Sequence, residues 1–141
     1  MMDRRLRYVA LTLALLLGGC QVNSKDQVLA AGTSQVQLRS FQSRAFDTTN
    51  QEKTLRTVIA TLQDLSFVID KADATLGTVS ATKLNGYLVR MTVTVRPRGE
   101  TQLLVRASAQ YNLKAIEDPQ PYQQFFSALE RAMFLTAQAA D

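Results

Sequence analysis

Histidine and tryptophan are absent from this 141-residue chain, and cysteine occurs once. Without histidine there is no Ser-His-Asp or Cys-His arrangement and no imidazole to hold a metal. With one cysteine there is no internal disulfide, so the fold must rest on its apolar core. Proline occurs three times and glycine six, which excludes a long Pro-rich spacer and any low-complexity tract of these residues. No internal repeat is visible. Long apolar runs are missing too. The uncharged stretch from Tyr8 to Gly19 holds 12 residues, whereas a helix crossing the hydrocarbon core needs about 20.

What is present begins with Arg4, Arg5 and Arg7, then that short apolar stretch, then Leu16-Leu17-Gly18-Gly19-Cys20. A basic start, an apolar middle and small residues before a cut make a secretory signal. Leu17-Gly18-Gly19-Cys20 resembles the bacterial lipobox. The resemblance implies a diacylglyceryl group on the Cys20 sulfur, cleavage before Cys20 and acylation of the freed amine. An uncleaved inner-membrane anchor is the alternative, and the length of the stretch argues against it. A buried core cysteine is a second alternative, disfavoured by the position of Cys20 outside any folded pattern. Two or three acyl chains hold a protein on a bilayer stably, where one does not. Gln21 stands where Gram-negative lipoprotein families commonly carry aspartate for inner-membrane retention. The expected location is therefore the periplasmic face of the outer membrane, with the inner membrane second and surface display left open.

The expected organisation is a cleaved signal over residues 1–19, a lipidated flexible tether over 20–35, and a single α+β domain over 36–141. From Cys20 onward the chain has 122 residues with 13 Lys plus Arg against 11 Asp plus Glu, a net charge of +2. That length suffices for one domain with a normal core. Nucleic acid is not an expected partner, on charge and on compartment.

Scattered alternation from Val36 to Phe46, with Val36, Leu38 and Phe46 inward, predicts a first strand. Residues Asp47 to Ser66 predict a helix. Thr49 and Glu52 fit a capping box, and Leu55, Val58, Ile59, Leu62 and Leu65 form an apolar stripe at helical spacing. Phe67–Asp70 reads as a short strand, Ala72–Gly77 as a turn, and Thr78–Lys83 as a half-buried strand. Asn85-Gly86 signals a hairpin, since both residues tolerate the positive φ of a type I′ turn. Tyr87–Arg96 is the clearest strand, with Val89, Met91, Val93 and Val95 on one face. Pro97-Arg98-Gly99-Glu100 turns the chain. Gln102–Leu113 repeats the pattern, with Leu103, Val105, Ala107, Ala109, Tyr111 and Leu113 on one face. Asp118 as N-cap and Pro119 at the first helical position open a second helix. Its stripe is Tyr122, Phe125, Phe126, Leu129, Ala132 and Met133. One-sided strands imply an antiparallel sheet covered on one face. The expected fold is thus a two-layer α+β sandwich: four to five antiparallel strands, two helices on one face, in the order β-α-β-β-β-β-α.

The stretch from Arg44 to Lys83, with its core LQDLSFVIDKADATLGTVSATK, resembles a recurring type of uncharacterised bacterial lipoprotein. The lipobox and the later MTVTVRPRG fit the same type. The resemblance covers most of the mature domain and implies no particular activity. In layout alone, the element order is similar to the helix-grip domains of the C lipoprotein of the β-barrel assembly machine. Likeness of layout does not carry function with it.

Few residues combine into chemistry. Asp64, Asp70 and Asp73 are the densest acidic group, but no glycine-bearing calcium loop surrounds them; solvated turn carboxylates are the favoured reading. Ser66, Ser80, Ser108 and Ser127 lack a nucleophile-elbow context, and Lys83 near a hairpin end reads as solvated. Arg90, Arg96 and Arg106 share the polar face of the two best strands, with Arg98 in the adjoining turn. They form the best candidate for a partner-docking or anion-binding face, against the plainer reading of a charged, water-facing surface. Phe125, Phe126, Phe134 and Leu135 exceed a narrow stripe, so Phe126 or Phe134 is a candidate for an exposed contact, against a wide core-facing stripe.

The expectation is a non-enzymatic, lipid-anchored envelope protein, an accessory or scaffold subunit of a transport, efflux, secretion or assembly complex. It would have no metal and no cofactor beyond the lipid on Cys20. Its partners would be the membrane, through the lipid, and an envelope protein. The first rival is a lipid- or glycan-binding module, which predicts an elongated apolar cavity between helices and sheet. The second is a small hydrolase, which predicts a cleft where a serine or two carboxylates converge.

Overall fold

The computed structural model describes residues 34–84 and 86–138; the segment expected to be a signal, Cys20, nearly all of the expected tether, and Asn85 lie outside the described residues. From Gln35 the chain forms one compact unit. Residues 34–42 are helical (α1). There follow β1 (Ser43–Phe46), α2 (Gln51–Asp64), β2 (Val68–Asp73), β3 (Thr78–Leu84), β4 (Leu88–Arg98), β5 (Gln102–Tyr111), β6 (Lys114–Ala115) and α3 (Gln120–Gln138). The sheet is antiparallel throughout, in the order β1-β5-β4-β3-β2, and β6 also pairs with β5. Because β4 occupies one side of β5, β1 and β6 share the other, one after the other along the same edge. The helices cover one face, so the molecule is a two-layer α+β sandwich.

The core lies between the layers. Val79, Ala81, Met91, Val93, Val95, Leu103, Val105, Ala107 and Ala109 of the sheet meet Leu55, Val58, Leu62, Tyr122, Phe125, Phe126 and Leu129 of α2 and α3. Every second residue of β4 and β5 is inward, which is the period of a strand. Facing α2 residues Thr54, Thr57 and Thr61 are also buried. Each hydroxyl donates to the carbonyl four residues back, at 2.8–2.9 Å. The apolar methyl is thus left for packing and no polar atom goes unpaired. Sequence reading assigns this stripe to leucine, valine and isoleucine alone and misses the threonines.

Several expected boundaries move. The segment from Val36 to Phe46 is not one strand: residues 34–42 are helical and only Ser43–Phe46 pairs with β5. Leu38 and Phe41 pack on the core and Gln42 is buried, while Val36 is exposed. Spacing of three and four residues, not alternation, decides here. The count among the described residues is therefore three helices and six strands, where the sequence predicts two helices and four to five strands. α2 is capped by Asn50, not Thr49: its Oδ1 accepts the Lys53 amide at 2.9 Å, and Glu52 pairs with Arg56 in place of closing a capping box. β2 runs to Asp73 and β4 to Arg98, shortening both predicted turns. The β3–β4 register pairs Leu84 with Leu88, so the hairpin loop has three residues, not two. Gly86 sits in it at φ 73°. β5 ends at Tyr111, not Leu113: Leu113 lies in the turn that follows and is exposed, and Tyr111 at the strand end is exposed as well. α3 starts at Gln120: Asp118 Oδ1 accepts the Gln120 amide, while the Pro119 carbonyl receives the first helical bond, from Gln123. Pro119 thus precedes the first helical residue.

Candidate functional site

The sheet face away from the helices carries the predicted arginines. Arg106 lies opposite Thr94, Arg96 opposite Leu104, and Arg98 opposite Gln102. Arg96 and Arg106 are therefore diagonal neighbours on adjacent strands, with Arg98 two residues beyond Arg96 on the same face. These three form one basic corner. Arg98 belongs to β4 itself and not to the turn that the sequence predicts. Arg90 pairs with Gln110 and Thr82. It stands six residues from Arg96, roughly 20 Å along an extended strand, and does not share the corner. All four are exposed. Among the described residues the two ion pairs are Arg44–Glu130 and Arg56–Glu52, and no carboxylate pairs with any of the four.

Most of the rest of this face is short and polar, apart from Leu104 beside Arg96 and Leu84 and Leu88 at the hairpin end. Thr78, Ser80 and Thr82 of β3 lie against Thr94, Thr92 and Arg90 of β4. The Ser80 and Thr92 hydroxyls are 3.3 Å apart. Thr82 donates to Asp70 at 2.5 Å. The middle of the face is thus a set of half-buried hydroxyls, with the exposed basic corner at one end.

The acidic group is dispersed. Asp73 accepts the Leu76 amide at 2.9 Å within the β2–β3 turn, Asp70 accepts from Thr82, and Asp64 ends α2. Among the described residues no three of His, Cys, Asp and Glu gather closely enough to hold a metal ion. Lys83 Nζ donates to the Leu65 carbonyl at 2.8 Å and lies 5.6 Å from the Phe67 ring centroid. That side chain thus braces the hairpin against the end of α2.

Of the two phenylalanines singled out from sequence, Phe126 is buried at 1% and Phe134 is exposed at 63%. Phe134 borders an open groove of about 570 Å³ with Phe46, Lys53, Glu130 and Met133. Above Phe126 lies Arg44, 5.3 Å from the ring centroid, with Nη1 donating to Glu130 at 2.6 Å. Arg44 faces the helices because it alternates in phase with Phe46. The strand phase held the signal for this inward arginine, but the misplaced start of β1 concealed it. A second open groove, of about 520 Å³, lies at the other end, between Phe67, Val89, Met91 and Ile116.

No helix among the described residues is long and apolar enough to cross a membrane. No protein-family model matches this chain, and no curated protein matches it at a significant level.

Proposed function

We propose that this chain is a lipid-anchored envelope protein that works without catalysis, as an accessory or scaffold subunit of an envelope complex. Cys20 carries the lipid, the outer membrane's periplasmic face is the site, and the basic corner Arg96, Arg98 and Arg106 docks an acidic surface of a protein partner. The observation that carries the docking reading is the clustering of that exposed corner on the sheet face away from the helices, where, among the described residues, no carboxylate forms an ion pair with it. Unpaired, clustered cations steer association and select partners of opposite charge. The anchor keeps the protein near its partner, so modest affinity at the corner suffices.

The test is crosslinking of the lipidated protein in its native envelope, with mass spectrometry of what co-purifies. Wild-type chain should capture a stoichiometric protein partner, and Arg96→Gln/Arg98→Gln/Arg106→Gln should lose it while staying folded. An unchanged partner set in the triple variant would rule out this corner. The alternative reading, a lipid- or glycan-binding module, draws on the groove beside Phe67 and Met91. That groove is open to solvent, and the space between the layers is filled by Tyr122, Phe125, Phe126, Leu62 and Met91. A bound lipid or glycan recovered without protein would favour it.

A further inference from the structure

Five large apolar side chains stand out at the end of the sheet where the β3–β4 hairpin meets the β5–β6 turn. Leu84 and Leu88 face each other across the hairpin and are 80% and 37% exposed. Tyr87 and Tyr111 meet edge to face, 4.6 Å between ring centroids, and both stay exposed. Leu113, in the turn after β5, is 93% exposed. The Asn112 amide donates to the Leu88 carbonyl at 3.1 Å, which ties the two tips into one unit. Leu84 and Leu88 share the outer face with Arg90, whereas Tyr87 and Tyr111 border the groove on the helix side, so this sheet end presents apolar side chains on both faces. Single exposed leucines are ordinary, whereas several gathered at one end mark a contact surface.

Three observations bear on what it contacts. The first is chemistry. Leu84 and Leu113 are the most exposed of the five, with Tyr87, Tyr111 and Leu88 less so, and leucine with tyrosine is a composition suited to the boundary of acyl chains and headgroups. Exposed Arg90 follows Leu88 on the same face, and exposed Lys114 pairs with Tyr111, so cations stand at the level where lipid phosphates lie. Exposed Asp118 borders the same groove as Tyr87 and Tyr111, and its carboxylate accepts the Gln120 amide. The second is place. β1 runs from Ser43, opposite Arg106, to Phe46, opposite Leu103, so its start points toward Tyr111. Gln42, just before it, donates to the Tyr122 hydroxyl, which also holds Ala109 and Ile116. The chain thus enters the sheet from the end that bears the tip. The third is reach. Thirteen residues separate Cys20 from Ser34, a span of at most about 50 Å even when fully extended.

We propose that this tip is a second membrane contact, with Leu84, Leu88 and Leu113 entering the bilayer interface and Tyr87 and Tyr111 lying at headgroup level. The proposal rests on the anchoring reading for which bilayer is touched and for the bearing of place and reach; the chemistry of the tip stands apart from it. This contact orients the domain with the strands rising from the membrane, so that Arg96, Arg98 and Arg106 face away from the lipid toward a partner.

The chain has no tryptophan, so a single introduced one reports without background. Leu113→Trp and, separately, Leu84→Trp are made in the full chain, with Glu100→Trp at the opposite end of the sheet as control. Each protein is reconstituted into vesicles of phosphatidylethanolamine and phosphatidylglycerol, with and without brominated acyl chains. The expected result is blue-shifted emission, strongly quenched by bromine, for Leu113→Trp and Leu84→Trp, and neither effect for Glu100→Trp. Unquenched emission from both tip variants overturns the proposal. A blue shift that needs no vesicles and grows with protein concentration also overturns it, and assigns the tip to a second copy. Intact mass reads acylation of Cys20 in the same samples. An acylated chain with an unquenched tip defeats this inference alone, whereas a non-acylated chain with a quenched tip defeats the anchor alone.

Discussion

The Tyr122 hydroxyl accepts the Ala109 amide at 3.1 Å, deep in the core at the edge of β5. It fills a gap in the ladder. β1 pairs with β5 up to Arg106, β6 begins pairing at Gln110, and Ala109 would otherwise present a buried amide with no strand opposite. The same hydroxyl donates to the Ile116 carbonyl at 2.7 Å and accepts Gln42 Nε2 at 3.2 Å. One side chain of α3 thus satisfies the sheet edge, the approach to α3 and the end of α1. Tyr122→Phe should keep the ring packing and lose all three bonds. Leaving buried polar groups unpaired costs about 1–3 kcal/mol. Urea unfolding should show that loss, and hydrogen exchange should show Ala109 losing protection ahead of its neighbours on β5.

Gly77 ends the β2–β3 turn at φ 62°, buried beneath β4 and the start of α2. Its carbonyl accepts the Val95 amide at 2.7 Å, and the Val95 carbonyl in turn accepts Gln51 Nε2 at 3.0 Å. A methyl group on Gly77 would run into the Val95 carbonyl oxygen and the Gln51 amide. Gly77→Ala should therefore destabilise by about 2–4 kcal/mol, from left-handed strain and overpacking together. Thermal unfolding of the two proteins side by side measures it. A loss below about 1 kcal/mol would show that the turn relaxes freely.

Ser66 closes α2 in the left-handed region, at φ 66°. The Phe67 amide donates to the Leu62 carbonyl and the Ser66 amide to that of Gln63, both at 2.9 Å. This is a Schellman closure with serine in the glycine position. Ser66→Gly should stabilise the domain by about 0.5–1 kcal/mol, the removed left-handed strain being partly offset by a freer unfolded chain. A rise in the urea midpoint with unchanged slope would confirm the sign.

Cys20→Ser should abolish acylation and leave an unprocessed or misplaced precursor. Membrane fractionation with intact-mass measurement checks it. Normal processing and normal partitioning of this variant would remove the anchor from the proposed function.

Much of the fold was legible because one-sided strands and striped helices carry their own period. Val93 and Val95 on β4, Val105 and Ala107 on β5, and Leu62 and Leu129 on the helices are inward as alternation and helical spacing require. Arg96 and Arg106 were legible as face-mates for the same reason. Their diagonal placement was not, because it depends on the β4–β5 register, which the three-residue turn at 99–101 sets. Periodicity could not place α1 either, since Val36 to Gln42 is too short to separate a period of two from one of 3.6.

Local chemistry in the sequence therefore determined the layers, the inward faces, the absence of histidine-based sites and the proposed lipid address at Cys20. Only the tertiary structure decided which side of β5 receives β1, that Arg44 turns in to Glu130 and Phe126, and that Tyr122 completes the broken edge. It alone gathered Leu84, Tyr87, Leu88, Tyr111 and Leu113 at the end where the chain enters. The physical reason is that period and propensity act between near neighbours, whereas register, edge pairing and the convergence of distant tips are settled by packing across the whole sheet.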